Sequence, residues 1–400
     1  MKIKTFLQDS LLNIFSVALP LLVLQIITFP LIANELGGQE YGLIIALISL
    51  YTVVSFPLGN VLNNVRLLMN ESYLKKKEVG DFNNFLAGSS FIGVIIINIL
   101  SLYIDPNITK TDIILLSIIT VLSLLKEYLI VGFRLILNYK GILLNNFYLS
   151  FGYLLGTFFF YLFGYWQLIY LFGLILSIVY ILVNTKLHKE PFKFTSLLKE
   201  TLNKSVLLYI SNLLKNLISH ADKLILLPLL GPTSVAVYYT ATIIGKIISM
   251  LINPINSVIL SYLVKMERIS LKGFLKMFSA ALMIGIFGYI ASIFVSPFFL
   301  RFFYKEWSEQ SLELIYITTA TAIVGMLSTV INPFNLRFNK TILQIYMTVL
   351  HLIVYIISSY FFYTAYGLKG FSFGVLIAAI FQLLMQLSVF FFNYYRKKEL

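Results

Sequence analysis

Residues 205–239 read SVLLYISNLLKNLISHADKLILLPLLGPTSVAVYY. The stretch starts as an apolar helix of spanning length, since crossing a bilayer takes about 20 residues. Its interior nevertheless carries Lys215, His220, Asp222 and Lys223, and it breaks at Leu230-Gly231. A span with that much charge must present it to something other than hydrocarbon.

The composition sets the frame. Of 400 residues, 59% are hydrophobic and 12% charged. Soluble domains run near 45–50% apolar and about 25% charged, so the chain reads as a polytopic membrane protein. Cysteine is absent, which excludes disulfides and thiolate metal sites. His188, His220 and His351 lie too far apart to form a metal cluster. No Gly-x-x-x-x-Gly-Lys-Ser/Thr loop occurs, so no built-in ATPase is expected. No cofactor, metal or catalytic residue is expected, and the chain is read as a non-enzyme. The run Leu11–Ala33 is too long for a signal core and has no small-residue cleavage site, so it is read as a retained span.

Hydropathy predicts an all-α integral membrane fold with twelve spans: 10–33, 42–64, 83–104, 112–137, 145–163, 166–185, 205–230, 236–262, 275–299, 312–336, 341–363 and 368–393. Helices satisfy every backbone group internally, as hydrocarbon demands. Of the 30 Lys and Arg residues, 22 fall on one set of loops and termini, 4 on the opposite loops and 4 within spans. The positive-inside rule then makes both termini cytoplasmic. The net charge of +13 is thus mainly a topology signal, and no nucleic-acid partner is expected.

The chain also reads as two halves, 1–185 and 205–400, joined by a basic cytoplasmic linker, 186–204. Aligning Gly37 with Gly231 lays span 1 on span 7. Pro57 in SFPLGNVL then matches Pro254 in LINPINSV, and NYKGIL matches FNKTIL. Two six-helix lobes sharing one orientation are related by a pseudo-two-fold axis along the membrane normal, and substrate sites in transporters often lie at such a repeat interface. Pro57 and Pro254 are paired hinge candidates, with tolerated kinks as the alternative.

Six ionisable residues lie well inside spans: Lys126, Glu127, Lys215, Asp222, Lys223 and Lys246. Facing lipid, they would cost on the order of 15–20 kcal/mol together. Helical spacing places Asn212, Lys215, Ser219 and Asp222 on one stripe, with Asn216, His220 and Lys223 beside it. Adjacent residues point about 100° apart, so Lys126–Glu127 and Asp222–Lys223 are each expected to seek partners on other spans. Two roles stay open for Asp222, Lys223, Glu127 and His220: inter-helix pairing or ion coupling. Lys215, Lys246, Lys126, Arg134 and Arg66 are the candidate substrate-binding cations; for Arg66 and Arg134 the alternative is a topology anchor. Four intramembrane lysines oppose two acids, and a low-dielectric cavity of that sign attracts anions such as phosphate groups.

These motifs resemble the Wzx-type O-antigen and capsule-repeat flippases, in the polysaccharide-transporter branch of the multidrug/oligosaccharidyl-lipid/polysaccharide exporter superfamily. The resemblance is carried by span 1 running into Leu36-Gly37-Gly38-Gln39-Glu40-Tyr41-Gly42, by Asp222-Lys223 followed by Leu230-Gly231 and Tyr238, and by Tyr366-Gly367 with Gly370 before span 12. Where the family's commonest form has a glycine before the tyrosine, this chain has Val237. The resemblance implies a flippase in the bacterial inner membrane that moves an undecaprenyl-pyrophosphate-linked oligosaccharide by alternating access, with an ion gradient as driving force. It also implies a polysaccharide polymerase or other assembly proteins as partners. Two other readings stand beside it. A MATE-type multidrug or cation antiporter would carry acids in a lobe cavity. A polymerase or ligase would carry a large outer loop with arginines.

Overall fold

The computed structural model describes residues 3–250, 271–338 and 341–399. Among these the regular elements are helices. In chain order they are α1 (Ile3–Leu22), α2 (Phe29–Lys76), α3 (Asp81–Ile104), α4 (Lys110–Leu129), α5 (Val131–Leu135), α6 (Tyr139–Phe163) and α7 (Gln167–Asn184). They continue with α8 (Leu198–Met250), α9 (Leu271–Phe303), α10 (Ser308–Leu312), α11 (Ile315–Phe338) and α12 (Thr341–Glu399). A π-helical stretch, Val23–Thr28, joins α1 to α2 just ahead of Pro30. Pro30 has no N–H to donate, and its ring would crowd a normal α turn, which the wider turn relieves.

Among the described residues nine helices are long and apolar enough to cross a membrane. Helix α9 shows what surrounds them. Five of its seven buried residues, Ala281, Gly285, Gly288, Ser292 and Ser296, are small. Two positions on, Met283, Phe287, Ile290, Phe294 and Phe298 form an exposed stripe, with Phe298 80% exposed. Small residues let helices approach closely, while large apolar ones face lipid. In water such a stripe would be an aggregation surface. The chain is a multi-pass membrane protein.

Three long helices contain a break, each at a glycine singled out in the sequence. Helix α2 leaves helical geometry at Gly37 (φ 75°, ψ 173°) and α8 at Gly231 (φ 78°, ψ 175°). Helix α12 breaks at Tyr366 and Gly367. Residues 37 and 231 thus share a backbone conformation that is essentially glycine-only. A Cβ at Gly231 would meet no atom within 4 Å, so Gly231→Ala isolates the backbone term. We expect it to lower stability by about 1–3 kcal/mol, measured by thermal unfolding in detergent. An unchanged midpoint would mean that the turn relaxes freely.

Several expected boundaries move. Helix α2 continues to Lys76, beyond the predicted end at 64, and Arg66 lies inside it. Mean hydropathy drops there, but Val65, Met69 and Tyr73 keep a helical period and are buried. An amphipathic extension is invisible to a hydropathy window and plain in the period. Helix α6 starts at Tyr139, capped by the Asn138 side chain accepting from the Gly141 amide at 2.9 Å. Helix α8 starts at Leu198, inside the stretch expected to be linker.

The chain divides into two compact units. Unit 1 is Met1–Ile32 with Leu43–Leu227; unit 2 is Ala33–Gly42 with Pro228–Leu400. In unit 1, α6 packs on α1 and α7, and α4 on α3 and α7. Its core gathers Val65, Met69, Phe82, Tyr128 and Phe133 with Leu187 and Leu197 from the stretch between α7 and α8. In unit 2, α11 packs on α9 and α12. Phe274, Phe334 and Phe390 centre one core there, with the Phe274 and Phe390 rings 3.9 Å apart.

Candidate functional site

In unit 1 the polar residues of α2, α4 and α5 form one connected line. Gly59 lets the helices meet: a Cβ there would lie 2.7 Å from the Glu127 Cβ. Asn63 Nδ2 donates to the Glu127 carbonyl at 2.8 Å. Arg134 Nη1 donates to Asn63 Oδ1 at 2.5 Å and to Asn64 Oδ1 at 3.2 Å. Asn64 Nδ2 donates in turn to Asn60 Oδ1 at 2.8 Å. Neutral amides therefore hold the Arg134 guanidinium by their carbonyl ends. Orienting a cation without cancelling its charge leaves its field available to an anion.

The acids behave differently. Lys126 Nζ lies 2.8 Å from Glu127 Oε1, and Lys223 Nζ 2.5 Å from Asp222 Oδ1. Each lysine thus meets a carboxylate on its own helix, which the divergence of adjacent side chains did not suggest. The backbone vectors do diverge, but the four-carbon lysine stem is long enough to fold back onto the neighbouring carboxylate. Asp222 and Lys223 are buried, and Lys223 Nζ also donates to the Ser219 carbonyl at 3.2 Å.

Lys215 lies on the exposed part of α8 in unit 1. Around it, Asn212, Asn216 and Ser219 hydrogen-bond carbonyls four residues back on their own helix. Their polarity is therefore partly spent locally. His220 is part-buried on the same helix. Once the two adjacent pairs are set aside, Arg134 and Lys215 are the intramembrane cations of unit 1 with no ion pair among the described residues. In unit 2, Lys246 sits 5.1 Å over the Tyr239 ring. His351 is buried beside Tyr355. Pro57 is buried within α2, whose only non-helical position is Gly37. Pro254 lies outside the described residues.

Arg66 takes a partner the sequence did not suggest. It is 6% exposed, and its Nη2 donates to Glu190 Oε1 at 2.6 Å. Its guanidinium lies 5.0 Å over the Phe82 ring and 5.7 Å from that of Tyr73. Asn83 Nδ2 holds the Glu190 carbonyl at 2.6 Å. Asp81 accepts from Tyr73 Oη at 2.6 Å and from both the amide and hydroxyl of Thr195. The expected basic linker is thus clamped to α2 and α3. A lone acid beside a proline in a lysine-rich run was the available signal for Glu190.

Burial pushes the Glu190 carboxyl above its ordinary range, and Arg66 opposes part of that rise. A carboxyl raised by folding binds its proton more tightly when folded. Its contribution to stability is therefore fullest below the ordinary carboxylate range and is lost as pH rises through the folded value. Glu190→Gln cannot ionise and should flatten that fall, measured as the thermal midpoint in detergent against pH. Superimposable profiles would mean that Glu190 does not titrate there.

In sequence comparisons no family profile and no curated protein matches the chain. Solved structures do. An inward-facing multidrug resistance MATE family transporter of the MOP superfamily superposes with a TM-score of 0.70 at 14% identity, covering 96% of this chain and 98% of that one. The lipid II flippase MurJ, in an inward closed conformation, gives 0.70 at 15% identity, covering 97% and 90%. The fold is that of the MATE transporters and of MurJ. The Vibrio cholerae MATE transporter VcmN in its bent form gives 0.61 at 12% identity, covering 98% and 97%. Identity at this level shows the fold alone.

Proposed function

We propose that the chain is a flippase moving an undecaprenyl-pyrophosphate-linked oligosaccharide from the cytoplasmic to the outer leaflet of a bacterial inner membrane. The observation that carries this reading is charge. Glu127 and Asp222 each lie against an adjacent lysine, while Arg134 and Lys215 make no ion pair among the described residues. A pyrophosphate is the natural partner of such cations, and the lipid tail stays in the bilayer. A cation antiporter on the same fold wants the opposite balance. MurJ, a lipid II flippase, lends the reading a precedent on this fold.

The matching breaks at Gly37 and Gly231 support two six-helix lobes sharing one orientation. Among the described residues, counting each broken helix as two spans gives twelve, an even number, in keeping with both termini being cytoplasmic. Alternating access between the lobes moves the head group, with Pro57 and Pro254 as hinges. Asp222, Glu127 and His220 remain the candidates for coupling to an ion gradient.

A net hydrogen bond to a charged group is worth about 1.5–3 kcal/mol. Lys215→Ala and Lys246→Ala should therefore each lower surface glycan about tenfold or more at normal membrane abundance. Unchanged glycan in both would overturn the cavity assignment.

A further inference from the structure

The stretch between α7 and α8 has two faces. The inner face is fixed: Leu187 and Leu197 are buried in the core of unit 1, Glu190 pairs with Arg66, and Thr195 bonds Asp81. Ser196, amide and hydroxyl, donates to Glu78 Oε2 at 3.0 Å. The outer face carries Phe192, 71% exposed, and Phe194, 68% exposed. Residues 191–195 are not helical; Phe192, Lys193 and Phe194 are all exposed, while Thr195 turns inward to Asp81. Exposed phenylalanines within a span meet lipid. These two lie outside any span and would meet water, where rigidly presented apolar rings mark a binding surface.

Charge identifies the partner. Lys186, Lys189, Lys193 and Lys199 are exposed and make no ion pair among the described residues. The one acid of the stretch, Glu190, is already engaged by Arg66, and the next, Glu200 on α8, by Lys204. Helix α7 ends at Asn184 and α8 begins at Leu198, both membrane-crossing candidates, so the stretch is held at the bilayer surface. Aromatic rings among unpaired lysines suit the boundary between anionic headgroups and acyl chains.

We propose that residues 186–199 form an anionic-lipid anchor, in which Phe192 and Phe194 enter the acyl boundary and Lys189 and Lys193 hold lipid phosphates. The anchor ties bound lipid, through Glu190 and Thr195, to the buried residues Arg66 and Asp81. It rests only on the chain's being a membrane protein and is independent of the cargo.

The absence of cysteine allows clean labelling. Nitroxides are placed through Phe192→Cys or Phe194→Cys, with His188→Cys as the control, in the full chain. The proteins are reconstituted in phosphatidylglycerol-containing or pure phosphatidylcholine vesicles. At 192 and 194, collisions with oxygen should dominate those with a water-soluble nickel chelate in the anionic vesicles; nickel should dominate at 188. Each lysine near an anionic surface shifts occupancy about fivefold. Removing the anionic lipid, or adding Lys189→Gln and Lys193→Gln, should therefore move 192 and 194 toward nickel. Nickel dominance at both positions in anionic vesicles would overturn the anchor. So would shielding from both reagents, which would mean that protein covers the face. Embedding that ignores lipid charge and the lysine substitutions would overturn the anionic assignment.

Discussion

Gly42→Ala is expected to give a protein that unfolds far more easily than the parent. A Cβ at position 42 would lie 1.8 Å from the Pro232 carbonyl oxygen and 2.5 Å from its carbon. Overpacking that a side chain can absorb costs about 1–3 kcal/mol. Here the obstacle is backbone, so the cost should reach about 3 kcal/mol or more. The surroundings cannot yield cheaply. Tyr41 is fully buried, with its ring stacked 5.6 Å from that of Trp307 and near those of Tyr304 and Tyr239. Trp307 Nε1 donates to Thr240 Oγ1 at 3.1 Å, and Thr240 meets Ser311 at 2.8 Å. The control is Gly88→Ala on α3, where a Cβ meets nothing within 4 Å. It should be neutral or stabilising by about 0.5–1 kcal/mol, because alanine favours the helix. Equal thermal midpoints for the two variants would refute the contact between residues 42 and 232.

Arg66→Ala is the second large effect. Removing one member of a buried ion pair strands the other, at about 3–5 kcal/mol. Arg66 and Glu190 are both largely hidden, with side chains 8% and 14% exposed. The variant also loses the guanidinium stacked over Phe82. Arg66→Lys should recover only part of this, since an ammonium keeps the charge but loses the planar fork. The double replacement Arg66→Met with Glu190→Met should recover most of it, because an apolar pair of similar volume leaves no charge buried alone. Thermal unfolding in detergent reads all three. If the double variant is no better than Arg66→Ala, the loss is one of packing and not of charge.

Much of the architecture was legible in the residues. Hydropathy marked the long apolar helices, and Gly37, Gly231 and Gly367 marked the three breaks among the described residues. The match of residue 37 to 231 anticipated a shared backbone geometry, because a conformation open essentially only to glycine leaves a trace in the sequence. The site was less legible. Lys126 and Glu127 were visible as buried charges, but their pairing depends on how a lysine stem folds back. The line from Asn60 through Asn64 and Arg134 to Asn63 depends on α2 and α4 meeting at Gly59 and on α5 bringing Arg134 to the asparagines.

The sequence by itself therefore determined that this is a helical membrane protein with excess intramembrane positive charge. Both properties are sums over composition and local period, which need no knowledge of neighbours. Only the tertiary structure decided which charges cancel and which persist, and that the basic stretch after α7 is clamped to α2 and α3. An ion pair depends on distances of a few ångströms between side chains up to 124 residues apart, as for Arg66 and Glu190. Their separation along the chain carries no record of that distance.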